Sequence, residues 1–154
     1  MQIELLADRL EFIPQLAKWH DQEFGYLRPG FSIADRIRML HERSGRHELP
    51  ISFVASSGDE LLGSAMLIAH DMDTHPQYSP WLAGVFVSPA HRRRGIGRAL
   101  SEHVAREAAR LGFTTLYLYT PSAQDFYSEF GWSTLERAHY RGVDVTIMSH
   151  TQVT

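Results

Sequence analysis

Cysteine is absent from the chain, which excludes disulfides, thiolate metal sites and a cysteine nucleophile together. No apolar run reaches the roughly 20 residues of a membrane span. The opening Met1-Gln2-Ile3-Glu4 lacks a basic stretch leading into an apolar one, so the expected setting is cytoplasmic, with no membrane partner. Positive charge is in short supply: 15 Lys and Arg stand against 18 Asp and Glu, a net charge of −3. A nucleic-acid binder would favour an extended basic face with interleaved aromatics, so none is expected as a partner. Internal repeats, low-complexity tracts and linkers are also missing. The 154 residues are therefore read as one domain, 1–154, large enough to bury about two thirds of its unfolded surface. The run His70-Asp71-Met72-Asp73-Thr74-His75 offers metal-capable side chains but neither calcium-loop spacing nor a zinc helix pattern, and no metal is expected.

Against that acidic background one stretch is locally basic. An apolar, β-favouring run from Trp81 through Val85, Phe86 and Val87 is stopped by Pro89; then come His91, Arg92, Arg93, Arg94, Gly95, Ile96, Gly97 and Arg98. Ile96, Leu100, Val104, Ala108 and Leu111 follow at helical spacing. The pattern is strand, basic glycine turn, helix. Glycine in a helix costs about 1 kcal/mol relative to alanine, so two of them at a helix start need a compensating reason. A helix start exposes unpaired N–H groups and the positive end of the helix dipole, and glycine lets a phosphate approach them. Spacing alone gives an anion site. A dinucleotide fingerprint is excluded because Leu100 stands where a third small residue belongs, and a P-loop because no Gly-Lys-Ser/Thr occurs.

Residues 2–7 alternate as a short strand, 10–24 carry helical periodicity ending at Gly25, and Ser32 can cap a second helix stopped at Gly45. Period-two apolar positions from 51 to 69 around Ser-Ser-Gly-Asp predict a hairpin. Gly84 inside the 81–87 strand marks a bulge or a close backbone approach, with simple tight packing as the alternative. The helix 96–111 ends at Gly112, and 114–119 is strongly β in composition. A strand–helix–strand crossover makes 81–87 and 114–119 parallel. A short helix from Pro121 through Phe130 and a terminal hairpin, 132–138 with 142–149, complete an α/β chain.

Arg92, Gly95 and Gly97 resemble motif A (Arg/Gln-x-x-Gly-x-Gly/Ala) of the GNAT family of N-acetyltransferases, and Ala123, Phe126, Tyr127, Gly131 and Trp132 resemble that family's second recurring segment. Trp132 replaces a usual Phe, and Thr120 stands where Asn is common. The element order is similar over nearly the whole chain. The resemblance implies a mixed, mostly antiparallel twisted sheet with a central splayed parallel strand pair and about four flanking helices. It implies acetyl-CoA as cosubstrate, held by the backbone of Val85, Phe86 and Val87 and by the turn Arg92, Arg93, Arg94, Gly95, Ile96, Gly97 and Arg98. A homodimer, frequent in that family, is left open. The expected reaction is direct acetyl transfer to a primary amine of a small molecule or peptide in a ternary complex.

The catalytic candidate is Tyr127, a weak acid of pKa about 10 able to protonate a departing thiolate of pKa about 8.5. A bulged strand near Val85 could supply an N–H to the oxyanion. Base candidates are Asp71, Asp73, His75 and Glu23. The acceptor pocket is expected near Trp19, Glu23, Tyr26, Asp71, Asp73 and Trp81, a mix suited to a cationic amine such as an aminoglycoside, polyamine or peptide amine. Two other classes stand beside the enzyme: a non-catalytic sensor of coenzyme A, and a nucleic-acid binder using Arg92 to Arg94, whose affinity would depend steeply on salt.

Overall fold

The alternating run from residue 51 becomes strands β2 (Ile51–Ser57) and β3 (Glu60–Ile68), and β1 (Gln2–Leu5) lies antiparallel to β2. The architecture is that of a computed structural model, which describes residues 1–151. Strand β4 (Trp81–Val87) follows antiparallel to β3, helix α3 (Ile96–Arg110) crosses over, and β5 (Thr115–Thr120) returns parallel to β4. The closing strands β6 (Ser133–Tyr140) and β7 (Val143–Thr151) form a hairpin whose second strand inserts beside β5, giving the sheet order β1-β2-β3-β4-β5-β7-β6.

Strand alternation sends successive side chains to opposite faces of the sheet. Ile51, Phe53, Leu82, Leu116 and Leu118 face one layer, filled by Ile96, Leu100 and Val104 of α3 and by Tyr127 and Trp132. Val54, Met66, Trp81, Ala83 and Ile147 face the other, filled by Ile13, Leu16 and Ala17 of α1 (Ile13–Phe24) and Leu40 of α2 (Ile33–Glu42). Among the described residues no helix is long and apolar enough to cross a membrane.

Several boundaries differ from the sequence expectation. The first strand stops at Leu5 because Leu6 begins a 3-10 turn that buries it completely. Residues 10–12 form a second such turn, so α1 starts at Ile13 with Pro14 in its first turn, where a missing N–H costs nothing. Helix α2 ends at Glu42, before Gly45. Gly45 serves close approach instead: a Cβ there would lie 2.6 Å from the Pro50 carbonyl oxygen, which accepts from the Gly45 N–H at 3.0 Å. The expected helix 121–130 is only α4 (Gln124–Ser128), because Phe130 and Trp132 N–H both turn back to the Tyr127 carbonyl ahead of Gly131 at φ +98°.

Candidate active site

Two helix starts in this chain are built in opposite ways. In α2, Ser32 and Asp35 cap each other's backbone N–H groups at 3.0 and 2.9 Å. Helix α3 has no side-chain cap and no acidic residue in its first turn. Its leading N–H groups, on Ile96, Gly97 and Arg98, therefore point forward without an intrahelical acceptor. The approach runs through two left-handed residues, Arg93 (φ 65°) and Gly95 (φ 79°). A Cβ on Gly95 would meet nothing within 4 Å and one on Gly97 would touch only Val87 and Phe126 at 3.5 and 3.6 Å. Conformation explains Gly95, and packing explains neither.

The arginines divide. Arg93 and Arg94 are exposed and free to meet a charged ligand. Arg92 turns back: its Nε–H donates to the Val87 carbonyl at 3.0 Å, and its Nη2 lies 3.5 Å from Glu23. Arg98 donates through Nε to Glu102 at 2.9 Å, and the Ile96 side chain is core.

Strands β4 and β5 pair at Trp81↔Tyr117, and the Tyr117 N–H also bonds the Pro80 carbonyl. Beyond that point they separate, and a cleft of about 340 Å³ opens between Gly84 and Val85 on one side and Tyr119 and Thr120 on the other. Gly84, at φ 58°, sits in a bulge where the β3–β4 register shifts between Ser64 and Met66, and a Cβ there would press Met66 at 3.0 Å. Bulge and tight packing, offered as alternatives by the sequence, coincide.

A buried relay holds the bulge. Ser64 Oγ donates to the Gly84 carbonyl at 2.8 Å and so accepts from His20 Nε2–H at 2.9 Å. Burial, with Arg36 and Arg43 nearby, pulls the imidazole down to about 3, so it stays neutral. Replacing Ser64 by Ala strands that buried N–H and should lower the unfolding free energy by about 1–3 kcal/mol in urea melts.

Tyr127 lines the cleft from the α4 side, 8% exposed. Burial pushes the phenol up to about 12, with Ser101 pulling the other way. Ser101 itself donates to the Gly97 carbonyl at 2.8 Å, in the first turn of α3. Thr120 caps the turn into α4: its Oγ1 accepts from the Ala123 N–H at 2.9 Å.

Of the four base candidates, Asp71 and Glu23 line the cleft. Asp73 is exposed and outside it. His75 pairs with Glu136 at 3.0 Å and stacks on Tyr78, also outside. Burial pushes the Asp71 carboxyl up to about 6, with Arg43 and Arg141 pulling the other way. Trp81, expected in the acceptor pocket, is fully buried beneath the sheet against Tyr78 and Tyr119. Trp19 packs on Phe86 at 5.5 Å rather than lining the cleft, whereas Tyr26 does line it. Phe86 is likewise buried, so only its backbone can serve a ligand. Sequence reading missed Tyr119, Tyr140 and the arginines 28, 36, 43 and 141, all at the cleft.

The family model for the GNAT acetyltransferases matches residues 13–132, well over half of the chain. The chain belongs to the GNAT acetyltransferase family. A mycothiol acetyltransferase from Cellulomonas flavigena is 26% identical over 136 residues, covering 75% of this chain and 39% of that protein. The chain thus spans well under half the length of that relative. An aminoglycoside 6'-N-acetyltransferase solved with coenzyme A superposes with TM-score 0.77 at 19% identity over 100% of this chain and 98% of that one. A ribosomal-protein-alanine N-acetyltransferase from Brucella melitensis gives 0.76 at 16% identity over 99% and 100%. The GNAT fold, with its splayed parallel pair, and acetyl-CoA as the family's cosubstrate are thereby shown.

Proposed function

We propose that the protein transfers the acetyl group of acetyl-CoA to a primary amine by direct attack in a ternary complex. The observation carrying this reading is an uncapped, glycine-bearing helix start on the crossover between β4 and β5, the two strands whose separation opens a cleft lined by a phenol, Tyr127, and a carboxyl, Asp71. The cosubstrate supplies an electrophilic thioester carbonyl. The first turn of α3, with Arg93 and Arg94, holds its diphosphate, and the backbone of Val85 to Val87 aligns its arm.

An alkyl ammonium of pKa about 10.4 must lose a proton before it can attack. Asp71 takes that proton. The nitrogen bonds to the carbonyl carbon, an N–H of the Gly84 bulge stabilises the oxyanion, and the carbon–sulfur bond breaks. The nitrogen, cationic once bonded to carbon, releases its surplus proton to solvent as the carbonyl re-forms, and Tyr127 gives its own proton to the leaving sulfur and regains one from solvent.

This assignment fixes a pH signature. kcat/KM rises with pH through about 6 as Asp71 ionises, and Asp71→Asn removes that limb, with about a tenfold loss on the alkaline plateau, where the amine itself is increasingly neutral. Stability moves oppositely. The folded carboxyl titrates near 6 against an ordinary 3.8, so the folded state holds the extra proton and loses stability as pH rises through that window. Asp71→Asn should melt higher than the parent at neutral pH, with the difference vanishing near pH 4.

The test of the activity is release of free thiol from acetyl-CoA across a panel of amines. Amine-dependent release supports the enzyme. Tight coenzyme A binding with no release on any amine would instead favour the non-catalytic sensor.

A further inference from the structure

Arg28, Arg36, Arg43 and Arg141 line the cleft, while its only acidic lining residues among the described residues are Glu23 and Asp71. The arginines come from the segment after α1, from α2 and its end, and from the β6–β7 turn, on a molecule whose net charge is −3. None of them belongs to the basic turn before α3, and Arg92, Arg93 and Arg94 do not line this cleft.

Their partners are poor. Arg36 meets Asp21 through Nε at 3.2 Å, yet its Nη2 is buried without a hydrogen-bond partner. Arg43 is partly buried; the contact at its Nη1 is the Met66 sulfur at 3.6 Å, a weak acceptor. Burial draws its guanidinium below the usual value, partly offset by Asp71. Arg28 stacks over Phe31 at 3.9 Å and Arg141 over Tyr140 at 5.2 Å. Among the described residues no carboxylate lies within ion-pair distance of Arg28, Arg43 or Arg141, and Glu23 is engaged from outside by Arg92.

A guanidinium held in a cleft without a carboxylate keeps its fork free for bidentate binding of a carboxylate or phosphate. We infer that the acceptor is a small primary amine that also carries an anionic group, gripped by Arg43 with Arg28 and Arg141 while its amine faces Asp71. This rests on the acetyl-transfer reading and narrows it. It reverses the cationic acceptor expected from the acidic and aromatic residues alone. That expectation could not see arginines contributed by three distant segments.

The experiment measures kcat/KM by thiol release on matched pairs: free amino acids against their carboxamides, phosphoethanolamine against ethanolamine, and the polycations spermidine and kanamycin as a third arm. The anionic member of a pair should lead by about ten- to hundredfold, the worth of a charge-assisted hydrogen bond. Whichever pair shows it identifies carboxylate or phosphate as the recognised group. In Arg28→Gln and Arg141→Gln, both at exposed positions, that ratio should shrink toward one. Equal rates within the pairs, or a lead for the polycations, would overturn the inference and leave acetyl transfer standing. Absence of turnover with every amine despite acetyl-CoA binding would overturn both.

Discussion

Tyr127→Phe lowers kcat by about 10²- to 10³-fold, the usual contribution of a positioned acid, and leaves acetyl-CoA affinity within about threefold. The variant keeps the ring, and with it the contacts to Phe126, Phe130 and Trp132 at 5.0, 5.8 and 6.0 Å between centroids. Only the buried hydroxyl is lost, at a cost of about 0.5–1.5 kcal/mol of stability. The phenol is suited to the late step. Pushed up to about 12, it keeps its proton while the complex assembles, and parts with it only as negative charge builds on a sulfur in the same dry surroundings. In the proposed role the protonated form acts, and its folded value lies above the ordinary 10.0. No alkaline loss of kcat from this group is therefore expected below about pH 11. Single-turnover assays with the variant separate the chemical step from binding; an unchanged kcat would remove Tyr127 from the reaction.

Gly97→Asp should weaken acetyl-CoA binding by about 10²-fold while the protein melts at or above the parental temperature. The two effects part because they depend on opposite partners of one helix start. A carboxylate in the first turn of α3, where none now stands, complements the dipole and adds about 0.3–1 kcal/mol. The same carboxylate meets a diphosphate at contact distance, where like charges repel by up to about 4 kcal/mol at an effective dielectric of 20. A Cβ at this position finds only ordinary contacts at 3.5 Å or more, so the backbone need not move. Isothermal titration with acetyl-CoA beside thermal unfolding reads both quantities. Loss of stability together with affinity would mean that Gly97 is required for packing rather than for the ligand.

What could be read from the residues was whatever local chemistry dictates. Pro89, the arginines and Gly95 with Gly97 follow one another within a few positions, so the strand, turn and helix they specify, and the anion site proposed for them, are visible in one window. Ser32 as the cap of α2 is legible for the same reason, whereas its reciprocal partner Asp35 came only with the structure. The acceptor side is not. Arg36 sits on α2 at a position that local sequence reads as polar surface, and is buried only because Asp21 and Phe31 from the preceding segment close over it. Asp71 and Asp73 are two residues apart, and the chain path alone decides that one enters the cleft while the other stays in solvent. Trp81 looks like a pocket aromatic by composition, and the pleat turns it inward, into the core.

The most direct test of the account is a crystal structure of the acetyl-CoA complex. Diphosphate oxygens should lie within about 3.2 Å of the N–H groups of Ile96, Gly97 and Arg98, with the thioester between the Gly84 bulge and the Tyr127 hydroxyl. A cosubstrate bound with residues 92–98 untouched, or with its sulfur remote from Tyr127, would contradict it.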